Sequence, residues 1–149
     1  MKENREKPVA VLMSVRPKWV NLMASGEKTL EIRKNYPKQI EAPFKVIVYC
    51  TKDDVIPFYV NGKRWNGYVV GEFTCRGYEM FRVPFPGSLE TMDADILRRS
   101  CAEWTNLHWY AGRRTMFGWD VSDFELYDEP QELEKYGYHT APFSWNYIH

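Results

Sequence analysis

Residues 14–33 read Ser-Val-Arg-Pro-Lys-Trp-Val-Asn-Leu-Met-Ala-Ser-Gly-Glu-Lys-Thr-Leu-Glu-Ile-Arg, and their order decides how the chain is built. Pro17 suits the first turn of a helix, where its missing N–H costs nothing. Trp19, Val20, Met23 and Ala24 follow at helical spacing, and Gly26 is a natural C-terminal stop. Beyond it, Leu30 and Ile32 alternate with Thr29, Glu31 and Arg33, a period-2 pattern that predicts a short strand with its apolar pair turned inward. Glu31 and Arg33 then share the opposite face, with Lys28 just before the strand. Residues 9–15 are apolar and β-branched and predict a buried strand. The opening motif is strand, short helix, glycine turn, strand.

The charged face has two readings. A half-buried lysine beside a carboxylate has its pKa moved, which suits proton transfer or polarisation of a carbonyl. Arg33 offers a planar fork to phosphate or to a base edge. The competing reading is a surface ion pair on a strand, worth about 1 kcal/mol or less. On spacing alone the surface pair is the simpler of the two.

The rest of the chain sets the frame for that choice. Its 149 residues suit one domain, expected over residues 8–149 behind a charged, flexible tail at residues 1–7. The formal net charge is zero, which argues against a protein that coats long nucleic acid. The charge is uneven, however: residues 1–38 carry nine Lys/Arg against four acids, whereas residues 123–135 carry six acids against Lys135 alone. A local basic face under a neutral total fits a short anionic ligand, or equally an ordinary mixed surface.

Three widely spaced cysteines, Cys50, Cys75 and Cys101, predict buried thiols in a reducing compartment. The start of the chain has no signal-peptide pattern and no segment has the length of a membrane span, so the expected location is the cytoplasm. His108, His139 and His149 do not cluster with the cysteines at ligand spacing, so neither a metal nor any other cofactor is expected. P-loop, dinucleotide and serine-elbow signatures are lacking.

Residues 44–50 and 68–75 predict further strands, with Gly71 a bulge or close-approach point, and residues 77–83 extend or reverse the second. Residues 84–87 read as loop and residues 93–107 as one helix, with Ile96, Leu97, Cys101 and Trp104 on a stripe. Residues 115–121 and 125–127 predict strands, Glu129-Pro130 starts an acidic segment that predicts a short helix or turn, and residues 143–148 form an aromatic close. Together these give an α+β fold around a small barrel-like sheet. Trp19, beside Arg16 and Lys18, and Tyr49 at a strand end are candidate base-stacking rings. Trp65, between Arg64 and Asn66 in a polar loop, is a candidate nucleic-acid contact.

At these residues the chain resembles the ASCH domain family, a branch of the PUA-like superfamily. The hallmark G-x-K-x-x-E-x-R stands as Gly26-Glu27-Lys28-Thr29-Leu30-Glu31-Ile32-Arg33, preceded by Ser14-Val15-Arg16-Pro17-Lys18-Trp19-Val20. The similarity extends through residues 44–52, Val70-Gly71-Glu72-Phe73 and residues 117–123. It reaches Ala141-Pro142-Phe143-Ser144-Trp145-Asn146-Tyr147, which is similar to the P-P-x-S-W-x-Y ending of small ASCH proteins from bacteria and their prophages.

The resemblance implies a PUA-like small mixed β-barrel with two or more flanking helices. It also implies a cleft lined by Lys28, Glu31 and Arg33 that takes single-stranded RNA or a nucleotide. Arg16, Lys18, Trp19, Tyr49 and Trp65 are the further ligand-binding candidates. Two activities known among small members, deacetylation of N4-acetylcytidine and cleavage of single-stranded RNA, define an alternative in which Lys28 and Glu31 form an acid/base pair. In the deacetylating type the motif lysine works with a threonine and a glutamate. Lys28 matches that lysine, Glu31 occupies the threonine position, and Glu103 is the nearest candidate for the glutamate. A glutamate is no hydroxyl nucleophile, although it can serve as a general base for water. A third alternative is a prophage protein-interaction module working through the aromatic C-terminal segment.

Overall fold

The strand–helix–glycine–strand opening forms as its sequence predicts. In the computed structural model, which describes residues 6–85, 88–112 and 114–149, β1 is Ala10–Val15, α1 is Pro17–Ala24 and β2 is Leu30–Arg33. Pro17 opens α1 behind Arg16, and Gly26 leaves the helix at a φ of +82°, the left-handed region where only glycine is unstrained. Most of the expected charged tail, residues 1–5, lies outside the described residues, as do positions 86 and 87 of the expected loop.

The remaining elements are β3 (Phe44–Cys50), the hairpin β4 (Tyr59–Val60) and β5 (Lys63–Arg64), β6 (Tyr68–Cys75) and β7 (Tyr78–Arg82). Helices α2 (Ala94–Ser100) and α3 (Trp104–Ala111) follow, then β8 (Thr115–Asp120), β9 (Ser122–Gln131), a 3₁₀ turn (Leu133–Tyr136) and β10 (Trp145–Ile148). A five-stranded sheet runs β10-β1-β3-β6-β9, and a separate three-stranded sheet runs β2-β8-β7. β1 and β3 are parallel, with α1 and β2 in the connection between them; the other pairs are antiparallel.

The α+β class is therefore observed, but among the described residues the strands do not close into the expected barrel. They divide between two sheets because β2 takes β8 as its partner while β1 takes β3 and β10.

Burial follows from this layering. The parallel β1–β3 pair is apolar on both faces, as a strand covered on both sides must be. Val11, Met13, Val15, Val46 and Val48 pack with Val20 and Met23 of α1 and with Trp119. Leu12, Ile47, Tyr49 and Val69 line the other face beneath Tyr127 and Leu133. Leu30 and Ile32 enter a third cluster with Met92, Ile96, Leu107 and Met116, joining the three-stranded sheet to α2 and α3. Gly71 is a close-approach point: a Cβ there would lie 2.4 Å from the Glu125 carbonyl oxygen.

One expectation is corrected and another is shifted along the chain. Residues 93–107 are not one helix, because Cys101 takes a left-handed φ of +59° and ends α2. The acidic segment does hold a short helix, the 3₁₀ turn at Leu133–Tyr136, but Glu129-Pro130 still belongs to the end of β9, an edge strand, where a proline's missing donor is tolerated. Among the described residues no helix is long and apolar enough to cross a membrane.

Candidate nucleic-acid site

Lys28 follows the glycine turn and points into the interior. Its side chain is 3 % exposed and that of Glu31 7 %, and the two approach at 3.4 Å. The surface-pair reading of the charged face is thereby overturned. Both faces of β2 are covered, because α2 ends against its approach. Lys28 Nζ donates to the Ser100 carbonyl at 2.6 Å, and Thr29 N donates to the Arg99 carbonyl at 2.8 Å. The last carbonyls of a helix have no partner within it, and a cation there also meets the negative end of the helix dipole. The left-handed Cys101 turns the chain away so that these carbonyls stay open to Lys28. The Trp19 ring closes the other side, its centroid 4.6 Å from Lys28 Nζ and 4.8 Å from the exposed Lys18 Nζ.

Arg33 ties the group to the chain's end. One terminal nitrogen donates to the Ser14 carbonyl at 2.7 Å and lies 3.4 Å from Glu31 Oε2. The other donates to Ser144 Oγ at 3.1 Å and to the Ser144 carbonyl at 3.4 Å. Ser14 in turn donates its hydroxyl to the Pro142 carbonyl at 2.6 Å. The two stretches that carried the resemblance, 128 residues apart, are thus one piece of structure.

Burial, the largest influence on the Glu31 carboxyl, pushes its pKa up. The charges of Lys28 and then Arg33, with hydrogen bonds from both, outweigh it and hold the carboxyl below its ordinary value. Glu31 is ionised, so the cluster holds two cations and one anion, a net charge of +1 in a largely dry setting. Tyr110 of α3 borders it. Burial raises the phenol most; Arg33 lowers it and Glu31 raises it, and the Lys34 ammonium sits 5.0 Å from the ring centroid.

Of the residues singled out in the sequence, Trp19, Lys28, Glu31 and Arg33 come together, with Arg16 and Lys18 exposed at the start of α1. Tyr49 and Trp65 do not join them. Tyr49 lies under the opposite face of the five-stranded sheet. Trp65 is no surface contact: it is 3 % exposed and enters the main core beside Phe58, while Lys63 and Arg64 stay in water. Glu103 heads α3 in solvent, 3.4 Å from the Asn106 amide, and makes no ion pair with Lys28. Ser14 and Ser144 lie inside the motifs of the resemblance, where their spacing carries no sign of the contact with Arg33. The Ser100 carbonyl and Tyr110 had no sequence signal, since a backbone oxygen and an isolated tyrosine carry no pattern.

Two open clefts lie elsewhere, ≈ 640 Å³ between β7 and the start of α2 and ≈ 360 Å³ beside Arg76 and Arg99. In the smaller, Arg99 is already paired with Glu79 and Asp95, and Arg76 with Asp123.

Comparison with known proteins bears on the fold and the family. The ASCH protein of Zymomonas mobilis superposes with a TM-score of 0.67 at 15 % identity, covering 95 % of this chain and 88 % of that one. A serine-to-alanine variant of the same protein gives 0.68 at 14 % identity, covering 97 % and 92 %. No curated protein matches the sequence. The ASCH domain profile matches residues 13–145, a span that runs from β1 to the tryptophan after Ser144 and encloses every side chain of the cluster. The chain belongs to the ASCH domain family.

Proposed function

We propose that the chain binds single-stranded RNA or a nucleotide at the Lys28–Glu31–Arg33 cluster. The observation that carries this reading is the net positive charge of a nearly buried ionic group. One carboxylate faces two cations, so one positive charge is in excess in low dielectric, where its field is little screened. Exposed Arg16, Lys18 and Lys34 add to the same field. An anion of modest size is the complementary ligand, and the RNA binding that the ASCH resemblance implies makes that anion a nucleotide phosphate. The two sheets are then an open form of the PUA-like barrel, with the cluster between β2, α1 and the α2–α3 connection.

The hydrolase alternative has less support. A general base works best with a pKa near the working pH, and the Glu31 carboxyl is driven the other way. Lys28 is committed to the Ser100 carbonyl, Glu31 and the Trp19 face. Filter binding of a short single-stranded RNA tests the reading. Wild type retains the RNA at low salt with affinity falling as salt rises, and Lys28→Met, which removes the cluster's excess charge and keeps the side chain's bulk, weakens it severalfold through the lost field. Absence of any retention by the wild type at low salt rejects it.

A further inference from the structure

The rings that the sequence offered as base platforms are all engaged within the protein. Tyr49 and Trp65 are buried, and Trp19 holds two ammonium groups near its ring. A different ring stands in solvent one residue from Ser144, which binds Arg33 of the cluster. Phe143 is fully exposed, at 106 % of its reference area, in the segment that meets Arg33. Its neighbours on both sides are fixed. The Pro142 carbonyl accepts the Ser14 hydroxyl at 2.6 Å, and the Ser144 carbonyl accepts from Ser14 N at 2.9 Å and from Arg33 at 3.4 Å. The backbone is thus anchored to β1 and to an arginine of the cluster, while the ring gains nothing from the fold.

Single exposed apolar side chains are ordinary on protein surfaces; Phe143 is set apart by its backbone, which is pinned to an arginine of the cluster. An aromatic side chain with only two rotatable bonds loses little entropy when a flat partner stacks on it. The charge beside it selects the partner, because a positive cluster next to an aromatic face matches an unpaired base carrying its phosphate.

Resting on the nucleic-acid reading above, we propose that Phe143 is the nucleobase-stacking platform of this site. The bound unit is accordingly an unpaired nucleotide within single-stranded RNA, with its phosphate in the field of the cluster and its base on the Phe143 ring. A paired base offers no free face and an abasic strand no ring, so both bind without using Phe143.

The test uses the full chain, fluorescence anisotropy, and three labelled probes: a hexaadenylate, an abasic sugar–phosphate strand of the same length, and a duplex RNA. Phe143→Ala weakens hexaadenylate about 5- to 150-fold, the range of one aromatic–base stack. Phe143→Trp restores it, and neither substitution changes the affinity for the abasic strand or the duplex. Because the ring touches nothing, the melting temperature of Phe143→Ala matches wild type, so a binding loss is not a folding loss. If wild type and Phe143→Ala bind hexaadenylate equally, the platform is overturned while RNA binding stands; a ring kept for a protein partner gives this result. Equal wild-type affinity for the abasic strand and hexaadenylate overturns it as well. Failure of wild type to bind any of the three probes removes the nucleic-acid reading and the platform with it.

Discussion

Two ionic groups meet helix α2, one at its C-terminal end and one along its outer side. At the end, Lys28, Glu31 and Arg33 have side chains 3 %, 7 % and 13 % exposed. Along the side, Arg98 and Arg99 pair with Asp95, and Arg99 also with Glu79, at exposures of 28–74 %. The chemistry of the two is nearly the same and the physics is not. In water such pairs gain little, because solvent screens the charges and holding long side chains costs entropy. Out of water each charge carries a desolvation penalty that only its partners offset, so removing one member is costly. The outer pairs are ordinary surface. The buried group persists despite its cost, which is the physical reason to assign it a task.

Substitutions sharpen this contrast. Glu31→Ala leaves two buried cations facing each other and should destabilise the fold by about 3–5 kcal/mol in urea unfolding; a loss below about 1 kcal/mol would place the cluster energetically with the surface pairs. Lys28→Met keeps the bulk of the side chain, and Glu31 keeps Arg33, but the Ser100 carbonyl loses its donor. A loss of about 1–3 kcal/mol in the same assay is expected.

Acid acts on the same contrast through Glu31. Its folded-state pKa is below the ordinary 4.5, so its contribution is complete above about pH 4.5 and disappears as pH falls through the lower folded-state value. Thermal melts from pH 6 to pH 3 should show stability falling in that acid window, and Glu31→Gln should flatten the fall. Arg99→Ala, on the exposed side, should change stability by less than about 1 kcal/mol.

The sequence made the first half of this picture readable. Pro17, the spacing of Val20 and Met23, and Gly26 specify α1 and its end locally, and the period-2 pattern puts Leu30 and Ile32 in a core. The grouping of Lys28, Glu31 and Arg33 was legible from one short motif. Burial of that group was not, because its covers come from far along the chain: the Ser100 carbonyl at a separation of 72 residues and Ser144 at 111. Trp65 shows the converse. Its basic neighbours point to a surface loop, yet the β4–β5 hairpin sends Lys63 and Arg64 outward and folds the indole under the main core. The break at Cys101 was hidden because its left-handed turn serves a tertiary need, presenting the end of α2 to Lys28, that helical periodicity does not encode.

The central claim is that the buried, net-positive cluster and its rim are where nucleic acid binds. A titration of isotope-labelled protein with a single-stranded RNA hexamer, followed by NMR, tests it most directly. Binding at this site shifts the backbone amides of Lys28, Glu31 and Ser144 and the Trp19 indole N–H together, saturating at one affinity that weakens with salt. Shifts confined to the clefts beside β7 and Arg76, with the Lys28, Glu31 and Ser144 amides unmoved, would contradict it.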